Sequence, residues 1–184
     1  MMNNIISNDN KMHSTTVICV KKDNVICMVA DGQASLGPTI FKANVKKIRA
    51  LQNGKVLVGY AGSVSDCFTL INVLDSKIEE YEDVKRACYE LSKEWRTDKV
   101  MRNLEANLIV TNKDNLMILS GDGTIVEVED NIAAIGSGGL YALSAAKALY
   151  AHTNLTAESI AKESMIIAAN TCIYTNTNFT TFII

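Results

Sequence analysis

Two adjacent threonines, Thr15 and Thr16, stand where a polar, asparagine-rich stretch, MMNNIISNDNKMHS, gives way to the β-branched run TTVICV. A threonine at a chain's N-terminus carries nucleophile and base together, because its own α-amine can take the hydroxyl proton. An unperturbed α-amine titrates near pH 8, roughly, so a slight push makes it neutral at cellular pH. That chemistry requires removal of residues 1–14 as a leader, leaving 15–184 as the working domain. Taken alone, the pair says only that threonine favours strands.

Lys47 could supply the push. A nearby ammonium disfavours protonation of the amine and stabilises a developing alkoxide, and Asp31 could hold that lysine in place. Each, taken singly, also reads as an ordinary solvated charge. Gly59-Tyr60-Ala61-Gly62 falls between a strand and a helix, where free backbone N–H groups could form an oxyanion hole or the glycines could merely permit a sharp turn. Gly136-Ser137-Gly138-Gly139 precedes a helix but lacks the G-x-G-x-x-G pattern and the βαβ unit of a nucleotide site. His13 and His152 are too isolated for a zinc site or a Ser/His triad. Cys172 has no histidine nearby in sequence and reads as a buried structural thiol.

These residues need elements to position them. Thr16 to Val20 and Val25 to Ala30 read as a hairpin, followed by a short strand near Ile40, a basic segment over 46–49, and a strand from Lys55 to Tyr60 after the Asn53-Gly54 turn. From Ser63 the period changes: Val64, Cys67, Phe68, Ile71, Leu74 and Ile78 mark one amphipathic helix, and Val84, Cys88, Leu91 and Trp95 a second. Four strands follow, over 104–111, 116–119, 125–128 and 132–135. Two further helices are expected over 141–151 and 157–173, the latter capped by Thr156, and then a final short strand. Strands grouped with helix pairs, rather than alternating singly, predict an α+β fold of antiparallel sheets covered by helix pairs.

At 184 residues and 48% hydrophobic, the chain is the size of one domain. Its 18 basic and 20 acidic residues are scattered and give a formal net charge of -2, which argues against a nucleic-acid partner. No apolar run reaches the roughly 18 residues that suggest a membrane span, and the first residues resemble neither a secretory signal nor a transit peptide. Five cysteines without a C-x-x-C suit buried thiols in a reducing compartment, so a cytoplasmic protein is expected.

The stretches TTVICV, ADGQASLG, NVKKIRAL, GYAG, ELSKEWRTDK, NLEANLIV, IGSGG and CIYTN occur in the order and at the spacing of the HslV (ClpQ) peptidase family, bacterial relatives of the proteasome β-subunits, which this chain therefore resembles. The resemblance implies an αββα four-layer sandwich, the N-terminal nucleophile (Ntn) hydrolase fold. It implies a threonine endopeptidase assembled as a double ring of six subunits each, fed by a hexameric AAA+ ATPase of the HslU type that uses the ATP, with no cofactor required in this chain. Position by position, the nucleophile falls on Thr15, the lysine on Lys47, its carboxylate partner on Asp31, the oxyanion donor on Gly62 and an accessory serine on Ser137. A structural sodium ion would be held by the main-chain carbonyls of Ala169, Cys172 and Thr175. Ala169, Ala43 and Ser63 stand where the family commonly has glycine, so the sodium site requires a backbone conformation at 169 that alanine can adopt. Two other readings are a small-molecule amidase of the same fold and a non-catalytic ring component; the DGQASLG, KKIRAL and WRTDK stretches count against the first, and intact Thr15, Asp31 and Lys47 against the second.

Overall fold

A computed structural model describes Met12, His13 and residues 15–184, with side-chain surroundings from residue 15 onward. The leader expected over 1–14 lies outside the described residues except for Met12–His13. These two form a short strand, β1, antiparallel to β4 (Ala34–Leu36), with Met12 opposite Leu36 and His13 opposite Ser35. β5 (Thr39–Lys42) completes this small three-stranded sheet.

The main body has two larger antiparallel sheets. In one, β2 (Thr16–Lys22) and β3 (Val25–Ala30) pair as the expected hairpin, with Asp23 and Asn24 both at positive φ in its turn. β11 (Ile132–Gly136) flanks β2, and β12 (Thr180–Ile183) flanks β3. The other sheet runs β10 (Ile125–Glu127), β9 (Leu116–Leu119), β8 (Ala106–Thr111), β7 (Val56–Gly62) and β6 (Ile48–Leu51). Both β4 and β6 depart from the sequence reading. β4 has three residues, too few to show alternation, and β6 sits inside the basic segment, where Ile48 packs between the sheets and Leu51 on the helix side while Arg49 and Ala50 stay exposed.

Side-chain alternation along the strands explains the layers. On β2, Val17 and Cys19 point between the sheets, whereas Ile18 and Val20 point to the opposite face. β7 does the same, with Leu57 and Ala61 between the sheets and Val56, Val58 and Tyr60 on the other side. Because both faces are buried, these strands read as continuous apolar runs rather than alternating ones. α1 (Val64–Tyr81) and α2 (Val84–Thr97) cover the five-stranded sheet through Leu70, Ile71, Leu74, Cys88, Leu91 and Trp95. α3 (Gly139–His152) and α4 (Ala157–Thr171) cover the four-stranded sheet through Ala142, Ala146, Ile160 and Met165. The order of layers is α, β, β, α, as expected. Thr156 caps α4 by accepting a hydrogen bond from the Ser159 N–H at 3.2 Å, and Asp83 caps α2 in the same way through Arg86 at 3.0 Å.

All five cysteines are free and buried. Burial pushes the thiols of Cys19, Cys27, Cys67 and Cys88 up to about 12. Thiolate is the reactive form. The folded protein is therefore expected to resist a thiol-alkylating reagent at pH 8, and the unfolded chain to take up five labels, as intact mass would show. Rapid labelling of the native protein with loss of activity would instead point to a cysteine nucleophile.

Candidate active site

The start of β2 is where the two sheets and the α3 end of the molecule converge. Thr15 is 7% exposed and Thr16 fully buried. The register of β11 on β2 puts Gly136 opposite Thr16, and the ladder continues one step further as the Ser137 N–H donates to the Thr15 carbonyl at 2.8 Å. Gly136 has φ +89°, and a Cβ there would collide with the Thr15 carbonyl oxygen, so no other residue lets the α3 approach come this close. Thr15 is thus fixed from its carbonyl side.

The opposite face is built around Asp31, which immediately follows β3 and is fully buried. One carboxylate oxygen, Oδ1, accepts from the Thr16 N–H at 2.7 Å and from Lys47 Nζ at 2.8 Å. Oδ2 accepts from the Gln33 N–H at 2.9 Å and the Asn176 N–H at 3.3 Å. Lys47, 2% exposed, also donates to the Gln33 carbonyl at 2.5 Å. A carboxylate with this many donors is a strong anchor, and through its shared Oδ1 it draws the Lys47 ammonium to the Thr15–Thr16 peptide. Burial pulls the Lys47 pKa below the ordinary lysine value of 10.5, and the Asp31 charge opposes that shift. Both groups are buried partners here, and the reading of either as a solvated charge does not hold.

Lys47 reaches the site from the other sheet, just ahead of β6. The Tyr60 N–H donates to the Lys47 carbonyl at 3.1 Å, and the Tyr60 hydroxyl to the Lys46 carbonyl at 2.5 Å. Gly62 ends β7 two residues later with φ +123°, pairs with Ala106, and follows Ala61, whose methyl would lie 3.4 Å from a Cβ at Gly136. Ser137 is exposed, and its backbone touches Thr15.

The sequence reading did not single out Thr16, Gln33, Tyr60 or Asn176 as site residues. Thr16 Oγ1 accepts from the Gly138 N–H at 2.9 Å and shares a 2.7 Å hydrogen bond with Thr175 Oγ1, tying α3 to the loop after α4. Gln33 Nε2 donates to Ser35 Oγ at 3.0 Å and to the Ile173 carbonyl at 2.9 Å. Polar residues inside the otherwise apolar stretches TTVICV and ADGQA are the signal that could have marked the first two.

Ala169, Cys172 and Thr175 lie at the C-terminal end of α4 and in the loop beyond it. Ala169 is inside the helix and is not among the residues with positive φ, so alanine fits the backbone there. The Thr175 N–H donates to the Cys172 carbonyl at 3.1 Å, which brings the two residues into one turn. Among the described residues no group of three or more His, Cys, Asp or Glu could hold a metal, and main-chain oxygens of the kind found at this helix end suit only a hard cation. A surface cavity of about 680 Å³ lined by Lys21, Lys22, Asp23, Lys113 and Tyr150 lies at the far end of β2 from Thr15. Two of its lysines are already engaged: Lys21 donates to the Lys113 carbonyl at 2.8 Å and Lys22 to the Leu155 carbonyl at 2.8 Å.

Among the described residues no helix is long and apolar enough to cross a membrane. Residues 11–184 match the model of the proteasome subunit family. The ATP-dependent protease subunit HslV of Amoebophilus asiaticus (strain 5a2) is 52% identical over 172 residues, 92% of this chain and 96% of that protein. Among solved structures, the eukaryotic HslV of Trypanosoma brucei superposes with a TM-score of 0.87 at 37% identity, covering 91% of this chain and 98% of that one. The Thiobacillus denitrificans protein BPH, solved in complex with epoxomicin, shares the fold at a TM-score of 0.70 and 24% identity, over 92% of this chain and 97% of its own. The family model and the HslV relatives span nearly the whole chain and agree with its layered fold, and the chain therefore belongs to the proteasome subunit family and, within it, to the threonine peptidases of the HslV type.

Proposed function

We propose that Thr15, freed of the residues before it, is the nucleophile of a peptide-bond hydrolase. The observation that carries this reading is the single carboxylate oxygen of Asp31 that accepts from both Thr16 N–H and Lys47 Nζ, at 2.7 and 2.8 Å. The α-amine of Thr15 takes the hydroxyl proton as Oγ1 attacks the scissile carbonyl. The tetrahedral oxyanion is stabilised by the Gly62 N–H, the amine returns the proton to the leaving nitrogen, and water hydrolyses the acyl ester. Lys47 keeps the amine neutral by like-charge repulsion, Asp31 holds Lys47, and the Ser137 hydroxyl assists proton movement beside Thr15. A sodium ion, bound by the carbonyls of Ala169, Cys172 and Thr175, would rigidify the loop whose Thr175 meets Thr16. The relative's name, that of an ATP-dependent protease subunit, supports a two-component protease, and the sequence composition supports its placement in the cytoplasm. In it, two rings of six copies enclose the Thr15 sites, and a hexameric HslU-type ATPase unfolds and delivers protein substrates.

With Ser14 attached, the Thr15 nitrogen is an amide whose lone pair is delocalised into the peptide bond. The hydroxyl then has no base. Replacing residues 1–14 with a tag that can be cleaved at Thr15 is expected to give protein inert towards a fluorogenic peptide before cleavage and active after it. Equal hydrolysis in both samples, with mass spectrometry confirming the intact tag in the first, would mean that the α-amine is not the base.

A further inference from the structure

Asp31 and Lys47 come from opposite sheets. Asp31 follows β3 directly, but Lys47 ends an irregular stretch, residues 43–47, that belongs to no helix or strand. The catalytic reading needs the two side chains held at a fixed separation, so something must anchor that stretch on its N-terminal side, as Tyr60 does on its C-terminal side.

Asn176 is placed to do so. Its backbone N–H donates to Asp31 Oδ2 at 3.3 Å. Its side-chain Oδ1 accepts from the Gly32 N–H at 3.1 Å and from the Asn178 N–H at 3.1 Å. Its Nδ2 donates to the Ala43 carbonyl at 2.9 Å. One side chain therefore joins the Asp31–Gly32 turn to the start of the stretch that ends at Lys47. The two backbones touch at this point: the Val45 N–H donates to the Gly32 carbonyl at 2.9 Å, and a Cβ on Gly32 would lie 2.5 Å from the Ala43 oxygen and 2.9 Å from Asn44 Cα. Nothing larger than glycine fits between them. The Asn178 side chain adds a second bond to the same Ala43 carbonyl, also 2.9 Å.

We propose that Asn176 is a positioning residue for catalysis, one whose side-chain amide, accepting from Gly32 through Oδ1 and donating to Ala43 through Nδ2, pins the Asp31–Gly32 turn against the 43–47 stretch and so fixes the Lys47–Asp31 pair beside Thr15. This role rests on the nucleophile reading above. A misplacement well under 1 Å at a catalytic group costs rate while leaving substrate binding nearly unchanged. The two asparagines also separate positioning from mere stapling, since the Asn176 side chain bonds both Gly32 and Ala43 whereas the Asn178 side chain bonds Ala43.

The test compares mature, assembled wild-type protein with Asn176→Ala, Asn176→Asp, Asn178→Ala and Thr15→Ala, measuring kcat and KM for a short peptide together with melting temperature. Asn176→Ala is expected to lower kcat about tenfold or more with KM within about twofold, a loss of roughly 1.4 kcal/mol or more in transition-state stabilisation. Asn176→Asp keeps the acceptor for Gly32 and Asn178 but loses the donor to Ala43 and sets a carboxylate oxygen against that carbonyl, so its kcat should stay about tenfold or more below wild type. Asn178→Ala, which removes only the redundant bond to Ala43, should leave kcat within about twofold. A kcat unchanged in Asn176→Ala overturns the role, as does an equal loss in Asn178→Ala, an Asp variant as active as wild type, or an Ala variant that fails to assemble. Hydrolysis surviving in Thr15→Ala would strike the nucleophile reading itself and take the positioning role with it, whereas an inactive Thr15→Ala beside a fully active Asn176→Ala strikes the positioning role alone.

Discussion

Replacing Thr15 by alanine is expected to abolish peptide hydrolysis, with kcat falling by about 10⁴-fold or more, while folding and the proposed assembly are retained. The size of the effect follows from the chemistry: the hydroxyl is the only group proposed to bond to the substrate, and losing a covalent nucleophile removes a whole pathway rather than one stabilising contact. Assembly should survive because the backbone of Thr15, not its hydroxyl, makes the contact to Ser137 that seats β2 against the start of α3. Thr15→Ser, which keeps the hydroxyl and the α-amine, should retain measurable activity. Hydrolysis by Thr15→Ala within tenfold of wild type would remove Thr15 from the mechanism.

Lys47→Ala should cost about 10³-fold in kcat, near 4 kcal/mol, because it deletes a desolvated positive charge beside the reacting amine and alkoxide. Breaking a buried ion pair by removing one partner commonly costs ~3–5 kcal/mol in stability. Asp31, however, keeps the N–H groups of Thr16, Gln33 and Asn176, so the carboxylate stays solvated by protein and the loss should fall at the low end. A variant that folds yet loses less than tenfold would show that the lysine charge does not act on catalysis. The wild-type pH profile gives a second check. Burial lowers the Lys47 pKa from 10.5, so the ammonium is present below the folded pKa and is lost as pH rises through it, before an ordinary lysine would titrate. Activity should therefore decline on the alkaline side at a pH below 10.5. In that window the unfolded chain binds more protons than the folded one, so this lysine's contribution to stability rises with pH while activity falls. The opposite slopes distinguish loss of the ammonium from alkaline unfolding.

The hairpin of β2 and β3, the two helix pairs and the Thr156 cap were legible in the sequence because each rests on a local signal: a turn between β-branched runs, a 3.6-residue period, a hydroxyl ahead of an apolar helix. β6 was hidden because its buried residues, Ile48 and Leu51, flank an exposed arginine beside two lysines, so the segment read as basic rather than as a strand. Thr15, Asp31 and Lys47 could be named from their chemistry and from the resemblance. The burial of Lys47 could not, since it depends on Gln33 offering a carbonyl and on Tyr60 of the neighbouring β7 clasping the preceding peptide. Thr16 and Asn176 were missed for a related reason. Their work is done through bonds to groups far off in sequence, several of them main-chain, which leave no local pattern in residue type. Leu70, fully buried on α1, was also passed over, though it lies three residues after Cys67 on the same face.

The Thr16–Thr175 hydrogen bond spans 159 positions, and the bond from the Asn176 N–H to Asp31 spans 145. A polypeptide leaves the ribosome N-terminus first, at roughly 5–20 residues per second. The threonine that opens β2 therefore emerges many seconds before the loop after α4 that braces it. Throughout that interval the Asp31 carboxylate lacks its Asn176 donor and Thr16 lacks Thr175, and for most of it Thr16 lacks Gly138 as well. A nascent chain still tethered during translation consequently cannot hold a finished site, whatever the state of the residues ahead of Thr15. Such extreme sequence separation also predicts slow closure of this end of the sandwich, so competence to cut arrives last, after the layers that bury the cores have formed.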